Sequence, residues 1–332
     1  MTRQLAKIPG DGIGPEVVAA AIEIIEAAGV QAEWTELAAG RTAHEELGDP
    51  LPEATLEGVR QAEATLKGPT ATAKGKGFRS VNVALRQQLE LFANYRPAKT
   101  MPGIPSRYED VDLIVIRENT EGLYSGLEHE VVDGVVESLR IITRKASERI
   151  ARFAFETAQR QDRKRVTCVH KANILKLSDG LFLESCQVVS KEFPEIEFDD
   201  WIVDAAAMQM VRNPQAFDVL VMENLFGDIL SDLSSGLVGG LGVSPSANIG
   251  DGVAVFEAVH GTAPDIAGKG IANPTALVLS GVLMLRYLGE KEAAERIEKA
   301  VAAVILEGKA ITGDLGGKAN TAEYVAAVIE QL

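Results

Sequence analysis

The sequence is poor in the residues from which zinc sites and disulfides are built. Its 332 residues include only two cysteines and four histidines, and neither type has the spacing of a zinc or redox motif. Residues 1–10 lack a signal-peptide pattern, and no apolar run approaches the roughly 20 residues of a membrane-spanning helix. We therefore expect a reduced, cytoplasmic protein without a membrane partner.

Basic residues are also scarce. The 33 lysines and arginines are outnumbered by 48 aspartates and glutamates, which gives a net charge of -15 at pH 7. Because phosphate backbones are bound by basic surfaces, this balance argues against a nucleic-acid partner. The length of 332 residues is enough for one large domain or two smaller ones. Apolar residues make up 46% of the chain, which is enough to form a hydrophobic core.

A glycine-rich segment at 10–16, GDGIGPE, follows a short predicted strand at 5–9. It is close to the dinucleotide motif G-x-G-x-x-G, but the position of the third glycine is occupied by Pro15. We interpret the segment as a turn into a helix, with Pro15 near the first helical position. An apolar stripe from Val18 to Ile25 continues that helix, and Gly29 ends it.

Further along, apolar runs that predict strands alternate with helical patterns. Strands are expected at 92–97, 113–116, 166–169, 202–203 and 218–222, strand-like alternation at 130–143, and helices at 52–62, 80–92 and 148–163. The glycine-rich segment 67–77 predicts a loop. Polar residues follow several strand ends, an order typical of α/β folds, in which sites lie beyond the strand edges.

Two carboxylates stand four residues apart in a predicted helix. Asp228 and Asp232 would share one helical face, where like charges repel by a few tenths of a kcal/mol. The intervening Ile229 and Leu230 are expected to be buried. A hard divalent cation would offset the repulsion, although a solvated acidic face is the commoner outcome for a bare D-x-x-x-D.

Three arginines lie in separate predicted elements of this acidic chain, Arg86, Arg96 and Arg117. Arginine binds carboxylate or phosphate with a planar fork of donors, so a cluster would suit an anionic substrate. Lys171 and Tyr124 are possible proton-transfer groups. Spacing alone leaves open that these side chains form unrelated surface contacts.

Five motifs in order carry a resemblance to a known family: NYRP at 94–97, RENTEGLY at 117–124, HKAN at 170–173, GDILSD at 227–232 and HGTAP at 260–264. The chain resembles the metal-dependent, NAD(P)-linked β-decarboxylating dehydrogenases that act on isocitrate, 3-isopropylmalate, homoisocitrate or tartrate. The resemblance runs from residue 10 to residue 317.

The resemblance implies an isopropylmalate-dehydrogenase-like fold of two α/β domains with a central cleft, distinct from the Rossmann fold. The large, cofactor-side domain would take residues 1–91 and 239–332. The small domain would take 92–238 and carry a dimer-forming arm near 122–143. A homodimer with shared active sites is implied, because Lys171 and Asp204 would enter the site of the second subunit.

The resemblance also assigns roles. It implies that Mg²⁺ or Mn²⁺ is bound by Asp204, Asp228 and Asp232. Substrate carboxylates would be held by Arg86, Arg96 and Arg117, and Tyr124 and Lys171 would be the catalytic proton-transfer pair.

The substrate is expected to be a hydroxy tricarboxylate, because the isocitrate enzymes resemble this chain at Ser80 and Asn82, which would bind the extra carboxylate. Isopropylmalate enzymes have leucine at the position of Asn82, and an amide beneath an alkyl group would be left unpaired at about 1–3 kcal/mol. Isocitrate is therefore favoured over homoisocitrate and 3-isopropylmalate. A catalytically silent regulatory subunit is the alternative from another class.

NAD is favoured over NADP, because Asp265 and Ile266 stand where NADP-linked members have lysine and tyrosine. A carboxylate would accept hydrogen bonds from ribose hydroxyls and repel a 2′-phosphate. Thr72 is expected beside the nicotinamide. The complete set predicted to bind the cofactor is Thr72, Glu257, His260, Gly261, Thr262, Ala263, Asp265, Ile266 and Asn273.

Overall fold

The structure is a computed structural model that describes residues 2–72 and 80–332. Residues 73–77, part of the predicted glycine-rich loop, lie outside the described residues. The chain divides into two compact units, the first formed by Met1–Leu89, Thr100–Arg107 and Val238–Leu332, the second by Glu90–Lys99 and Tyr108–Leu237. No sequence signal indicated that Thr100–Arg107 belongs with the first unit, and the predicted domain bounds stay a prediction.

Elements are numbered in chain order. The first unit is a five-stranded sheet with helices, in the strand order β2-β1-β3-β12-β11, in which only the β11–β12 pair is antiparallel. Its elements are β1 (Arg3–Ile8), α1 (Gly14–Ala27), β2 (Ala32–Glu36), α2 (Arg41–Leu47), α3 (Glu53–Gln61), β3 (Ala64–Lys67), α4 (Val81–Gln88), β11 (Pro245–Ile249), β12 (Ala254–Ala258), α9 (Thr275–Tyr287), α10 (Lys291–Glu307) and α11 (Thr321–Glu330).

The second unit has a sheet in the order β4-β5-β10-β8-β9, parallel except for the β4–β5 pair, and a separate β6–β7 hairpin. Its elements are β4 (Ala93–Lys99), β5 (Asp112–Glu118), β6 (Gly122–Val132), β7 (Val135–Ile141), α5 (Arg144–Arg160), β8 (Arg165–His170), α6 (Ser178–Ser190), β9 (Glu197–Ile202), α7 (Val203–Arg212), β10 (Val219–Met222) and α8 (Asn224–Leu237).

The segment at 10–16 is a strand-to-helix turn, as predicted, and α1 begins at Gly14 with Pro15 in its first turn. Glycine is required at Gly12, where φ is +62° and an added Cβ would lie 2.0 Å from the carbonyl oxygen of Thr262. The Asp11 carboxylate accepts backbone hydrogen bonds from Arg41 and Ala71. This turn therefore closes on the protein's own backbone.

Several predicted bounds were wrong in detail. The helix predicted at 148–163 begins at Arg144, because Thr143 caps it by accepting a hydrogen bond from the Ala146 backbone. The predicted strand at 202–203 is the end of β9, and α7 begins at Val203. The alternation at 130–143 belongs to a hairpin that turns at Gly134, where φ is +77°. No helix within 2–72 and 80–332 combines the length and apolar character needed to cross a membrane.

Candidate active site

The carboxyl ends of the parallel strands in the second unit carry most of the predicted site. Arg117 lies near the end of β5, and β10 leads directly into α8, which carries Asp228 and Asp232. Because β5 and β10 are parallel neighbours, these ends meet at one edge of the sheet. The sequence alternation of apolar strand and polar strand end therefore does assemble a polar cluster here.

Asp228 and Asp232 each contact a different arginine. The Arg117 guanidinium makes a short contact with Asp228, whose second oxygen accepts a hydrogen bond of 2.6 Å from the Tyr124 hydroxyl. Arg96 donates to Asp232 at 3.1 Å and to Ser231. The two arginines are buried, whereas the Asp228 and Asp232 side chains keep 40% and 54% of their surface exposed.

The two aspartates differ in their proton affinity. Burial acts to raise the pKa of Asp228, but Arg117, Tyr124 and Arg96 outweigh it and the pKa is lowered. For Asp232, burial together with the nearby Asp228 charge outweighs Arg96, and the pKa is raised. Asp232 therefore carries its charge less readily, mainly because it is partly buried and in part because the Asp228 charge lies close to it.

Arg117 is fixed by its neighbours on α8. Asn224 accepts hydrogen bonds from the Arg117 Nε at 2.9 Å and Nη2 at 2.7 Å. Gly227 lets the guanidinium stem pass, because a Cβ there would lie 2.4 Å from the Arg117 Cγ. The glycine of the GDILSD motif is thus a packing requirement, and it sets the orientation of the arginine beside Asp228.

The expected burial of both apolar residues between the aspartates was half right. Leu230 is buried, but Ile229 is 55% exposed. A helix normally turns its apolar residues toward one core. Ile229 instead faces outward on this helix.

Tyr124 lies over the Arg117 guanidinium, 4.9 Å from its ring centre. Burial and the hydrogen bond to Asp228 raise the pKa of the Tyr124 phenol. The phenol therefore stays protonated at neutral pH, as a proton donor must.

Lys171 and Asp204 form a close ion pair of their own, with Asp204 in the first turn of α7. Lys171 lowers the pKa of Asp204. Within residues 2–72 and 80–332 of a single chain, no group of three metal-binding side chains comes together, so Asp204 does not join Asp228 and Asp232 there. This separation fits the expectation that Lys171 and Asp204 serve the site of a second copy, which stays a prediction.

In the first unit, Arg86 belongs to a buried charge network that the sequence did not reveal. Glu257 accepts from Arg86 at 3.0 Å, from Lys67 at 2.7 Å and from the Asn248 amide at 2.8 Å. Burial acts to raise the pKa of Glu257, but the two cations dominate and lower it strongly. The carboxylate predicted to bind the cofactor is thus engaged by two buried cations. Lys67 and Glu257 are 190 residues apart, so sequence spacing could not pair them.

The residues predicted to select the substrate lie at the start of α4. Ser80 occupies the N-cap position of α4, but its side chain makes no capping hydrogen bond and instead accepts from Thr72 at 3.3 Å. The Asn82 carbonyl oxygen accepts from Thr70 at 2.9 Å. Asn82 therefore places a polar amide at the start of α4. Its carbonyl oxygen is engaged by Thr70, so its amide nitrogen is the atom that would face a ligand.

A cavity of about 460 Å³ lies among the residues predicted to bind the cofactor. Its lining includes His260, Ile266, Asn273, Ile13 and Asp314. Asn273 donates to Asp314 at 2.9 Å, and Asp265 is exposed. Of the remaining predicted cofactor residues, Thr262 receives the Ile13 backbone hydrogen bond and Ala263 has a φ of +38°; Gly261 accepts from His260.

The His260 ring supports a ligand in this cavity. Its Nδ1 faces the Gly261 carbonyl at 3.0 Å, while the buried Nε2 has no hydrogen-bond partner among the described residues. Burial lowers the pKa of His260. A neutral ring that donates through Nδ1 leaves Nε2 as an acceptor, which suits the amino group of an adenine.

The donor set of α8 fits a hard divalent cation. Mg²⁺ and Mn²⁺ prefer carboxylate oxygens, and Asp228 and Asp232 offer two carboxylates on one helical turn, where burial and the Asp228 charge raise the pKa of Asp232. Tyr124 and the arginines leave part of both carboxylates exposed.

The fold and the site together point to one class of protein, and comparison with known proteins identifies the same class. The chain belongs to the isocitrate/isopropylmalate dehydrogenase family, whose model matches residues 4–328. A crystal structure of isocitrate dehydrogenase from Methylococcus capsulatus is similar with a TM-score of 0.96 and 55% identity, covering 99% of each chain.

Two curated relatives show that identity alone does not separate the substrates. The isocitrate dehydrogenase [NAD] catalytic subunit 5, mitochondrial, of Arabidopsis thaliana is 55% identical over 98% of this chain and 87% of its own length. The chloroplastic 3-isopropylmalate dehydrogenase of Solanum tuberosum is 54% identical over 91% of this chain and 85% of its own.

Proposed function

We propose that this protein catalyses the oxidative decarboxylation of isocitrate to 2-oxoglutarate and CO₂, with NAD as hydride acceptor and Mg²⁺ or Mn²⁺ as metal. The observation that carries the proposal is the mixed cluster at the carboxyl ends of β5 and β10. There two buried arginines and two partly exposed aspartates contact one another, and a tyrosine hydroxyl donates to one of the aspartates.

The charges of this cluster match those of a chelated tricarboxylate. Arg96 and Arg117 could exchange their aspartate contacts for substrate carboxylates, and the aspartates would then bind the cation that accompanies the substrate. Arg86, Ser80 and Asn82 are the proposed contacts to further carboxylates. The Asn82 side chain favours a carboxylate over an isopropyl group, because its carbonyl oxygen is paired with Thr70 and an apolar ligand would leave its N–H donors without an acceptor from the ligand.

We assign the metal to Asp228 and Asp232, completed by Asp204 from a second copy of the chain. When bound, the cation supplies Lewis-acid stabilisation of negative charge that develops on substrate oxygen. The protein contributes by holding the two carboxylates on one turn of α8, and Arg96 and Arg117 stabilise their negative charges from the buried side.

Two groups are assigned to proton transfer. Tyr124 keeps its proton because its pKa is raised, and it is the proposed donor to the carbon that loses CO₂. Lys171 is the proposed acceptor for the substrate hydroxyl proton, acting in the site of the second copy. Its ion pair with Asp204 holds the Lys171 nitrogen beside a proposed metal ligand. The lysine would accept the substrate proton as the neutral amine, after Asp204 has exchanged its lysine contact for the cation and the ammonium group has released its own proton.

NAD is assigned to the cavity lined by His260, Ile266 and Asn273. The neutral His260 ring would pair with the adenine, and the exposed Asp265 carboxylate would accept from ribose hydroxyls and disfavour a 2′-phosphate. Thr72 and Ser80, joined by a hydrogen bond, are the proposed neighbours of the nicotinamide.

A homodimer is part of the proposal. The β6–β7 hairpin is a two-stranded sheet, which is marginal alone in water, and it exposes Val132 and Val136 by 61% and 65%. Leu177 at the start of α6 is 90% exposed, and Ile229 on α8 is 55% exposed. Exposed apolar residues on a hairpin without a core of its own support a protein partner, and a second copy would bring Asp204 and Lys171. The cytoplasmic location stays a prediction.

One assay tests the function. The purified protein would be offered isocitrate, homoisocitrate or 3-isopropylmalate, with NAD or NADP, before and after removal of divalent cations by a chelator. We expect NADH formation with isocitrate and NAD that the chelator abolishes and Mn²⁺ restores. A higher kcat/KM with 3-isopropylmalate than with isocitrate would mean that the protein has the activity for which the Solanum tuberosum relative is named. No turnover with any substrate would favour a silent subunit.

A further inference from the structure

An ion cluster that none of the proposed roles uses lies beneath the strand ends of the second unit. Arg140, near the end of β7, is half-buried, and its side chain is 14% exposed. Its Nη1 donates to the Asp179 carboxylate at 2.5 Å, and its Nη2 lies 3.4 Å from the Glu223 carboxylate. The second contact is electrostatic, because its geometry is not that of a hydrogen bond.

Each of these two carboxylates binds the backbone of a different functional segment. Asp179 accepts a hydrogen bond of 2.5 Å from the backbone N–H of Lys171. Glu223 accepts from the backbone N–H groups of Leu225 and Phe226 at 3.1 and 3.0 Å, and so caps the start of α8.

The two carboxylates of the cluster are buried, and both contact the Arg140 cation. Asp179 and Glu223 are 1% and 3% exposed in their side chains, and burial together with the Asp179 charge raises the pKa of Glu223. The Arg140 guanidinium also lies over the Phe226 ring at 5.2 Å, which fixes its plane. A buried carboxylate without a cation is strongly unfavourable, so both carboxylates are held toward Arg140.

We propose that Arg140 is a positioning residue, which holds the Lys171 segment and the metal-binding start of α8 in register through Asp179 and Glu223. The proposal rests on the proposed function, because it matters only if Lys171 and the α8 aspartates act in catalysis. Arg140 contacts Asp179, Glu223 and Phe226, and no direct contact with substrate or metal is proposed for it. It acts through two backbone attachments, each within a few residues of a functional side chain.

The chain offers a matched control at the opposite end of the same strands. Arg163 bridges Asp112 at 2.5 Å and Asp218 at 3.0 Å, and its side chain is 20% exposed. It is thus a similar cation between two carboxylates, but those lie at the amino ends of β5 and β10. If kcat and Mn²⁺ binding fell merely because an ion cluster was broken, they should fall for Arg163→Met as well as for Arg140→Met. Tm should fall more for Arg140→Met, because its two carboxylates are more deeply buried.

The experiment compares Arg140→Met, Arg140→Lys and Arg163→Met with the wild-type protein. We would measure kcat and KM with isocitrate and NAD, Mn²⁺ binding by the electron paramagnetic resonance of the free ion in the presence of isocitrate, and Tm. Arg140→Met should lower kcat about 10- to 100-fold, as displacement of catalytic groups by about 1 Å does, and should weaken Mn²⁺ binding about tenfold. Arg140→Lys should recover part of both, and Arg163→Met should change neither by more than about twofold.

Equal, small changes in kcat and Mn²⁺ binding for Arg140→Met and Arg163→Met, with only Tm lowered, would overturn the proposal. If Arg140→Met does not fold, Arg140→Lys and Glu223→Gln take its place, and wild-type kcat and Mn²⁺ affinity in both would overturn it equally. Inactive wild-type protein would refute the proposed function instead, while the Mn²⁺ measurement still tests Arg140.

Discussion

The two ends of the parallel strands in the second unit use charged residues in opposite ways. At the amino ends, charged side chains pair with opposite charges on neighbouring elements: Arg163 contacts Asp112 and Asp218, and Arg165 contacts Glu197 at 3.0 Å. These pairs connect β5, β10, β8 and β9 in order. The arrangement is balanced and needs no ligand.

At the carboxyl ends, opposite charges also pair, but two of the carboxylates lie on neighbouring positions of one helical face. Asp228 and Asp232 share a helical turn, and the pKa of Asp232 is raised by burial and by its neighbour. Arg96 and Arg117 are buried beside them. The charges at the amino ends of the strands are paired, whereas at the carboxyl ends a carboxylate with a raised pKa lies next to a second carboxylate. We interpret the carboxyl ends as the place where a ligand binds.

Substitution of Asp232 should have the largest effect on activity. Asp232→Asn removes a proposed metal ligand, so kcat/KM should fall about 1,000-fold, a loss of several kcal/mol of transition-state stabilisation. Because the folded state raises the pKa of Asp232, its charge destabilises the fold at neutral pH, and the variant should be slightly more stable. That gain should vanish below about pH 3.9, where the unfolded aspartate is protonated too. If Asp232→Asn were active and less stable than the wild type, the carboxyl ends of the strands would not differ from the amino ends in the way described above.

The next largest loss should come from Tyr124→Phe. The phenol is the proposed proton donor, and general acid catalysis contributes about 100- to 10,000-fold. Turnover should therefore fall about 100-fold, while KM for isocitrate changes little because the ring still covers Arg117. Steady-state kinetics test this, and an unchanged kcat would remove Tyr124 from the mechanism.

The same contrast extends to the first unit. Glu257 is fully buried between two cations, whereas Asp265 is exposed beside the cavity assigned to NAD. We expect Asp265→Lys with Ile266→Tyr to shift the ratio of kcat/KM for NADP over NAD at least about tenfold, because a repelling carboxylate becomes an attracting ammonium. An unchanged ratio would show that the cofactor preference is determined by other residues.

The smallest effect on activity is expected from Arg163→Met at the balanced end. The pairs are partly exposed, so the free energy of unfolding should fall by about 1 kcal/mol, while kcat and KM stay within about twofold of wild type. Chemical denaturation and steady-state kinetics measure both. A large loss of kcat would mean that the amino ends are not merely structural.

The sequence predicted the local features of this fold well. Strands β5 and β10, the helix over Asp228 and Asp232 and the turn at 10–16 all follow from apolar periodicity and from proline and glycine, which act over a few neighbouring residues. The motifs located the polar strand ends because polar residues there interrupt otherwise apolar runs. All of these signals depend only on residues that are close together in the sequence.

The charge networks could not be predicted, because they join distant segments. Glu257 reaches Lys67 and Arg86 across the first unit, and Arg140 reaches Asp179 and Glu223 in the second. The residues of both networks are ordinary charged residues, and nothing in the sequence indicates which of them pair. The exposed Ile229 was missed for a related reason, since periodicity identifies an apolar face but not which molecule covers it.

The most direct test of the account uses two inactive variants in one assay with isocitrate, NAD and Mn²⁺. If each site combines Asp228 of one copy with Lys171 of the other, a heterodimer of an Asp228→Asn chain and a Lys171→Met chain contains one doubly altered site and one intact site. Differently tagged chains, co-expressed and purified by both tags, should then show about half of the wild-type turnover, although each homodimer is nearly inactive. Heterodimers no more active than either homodimer would contradict the account.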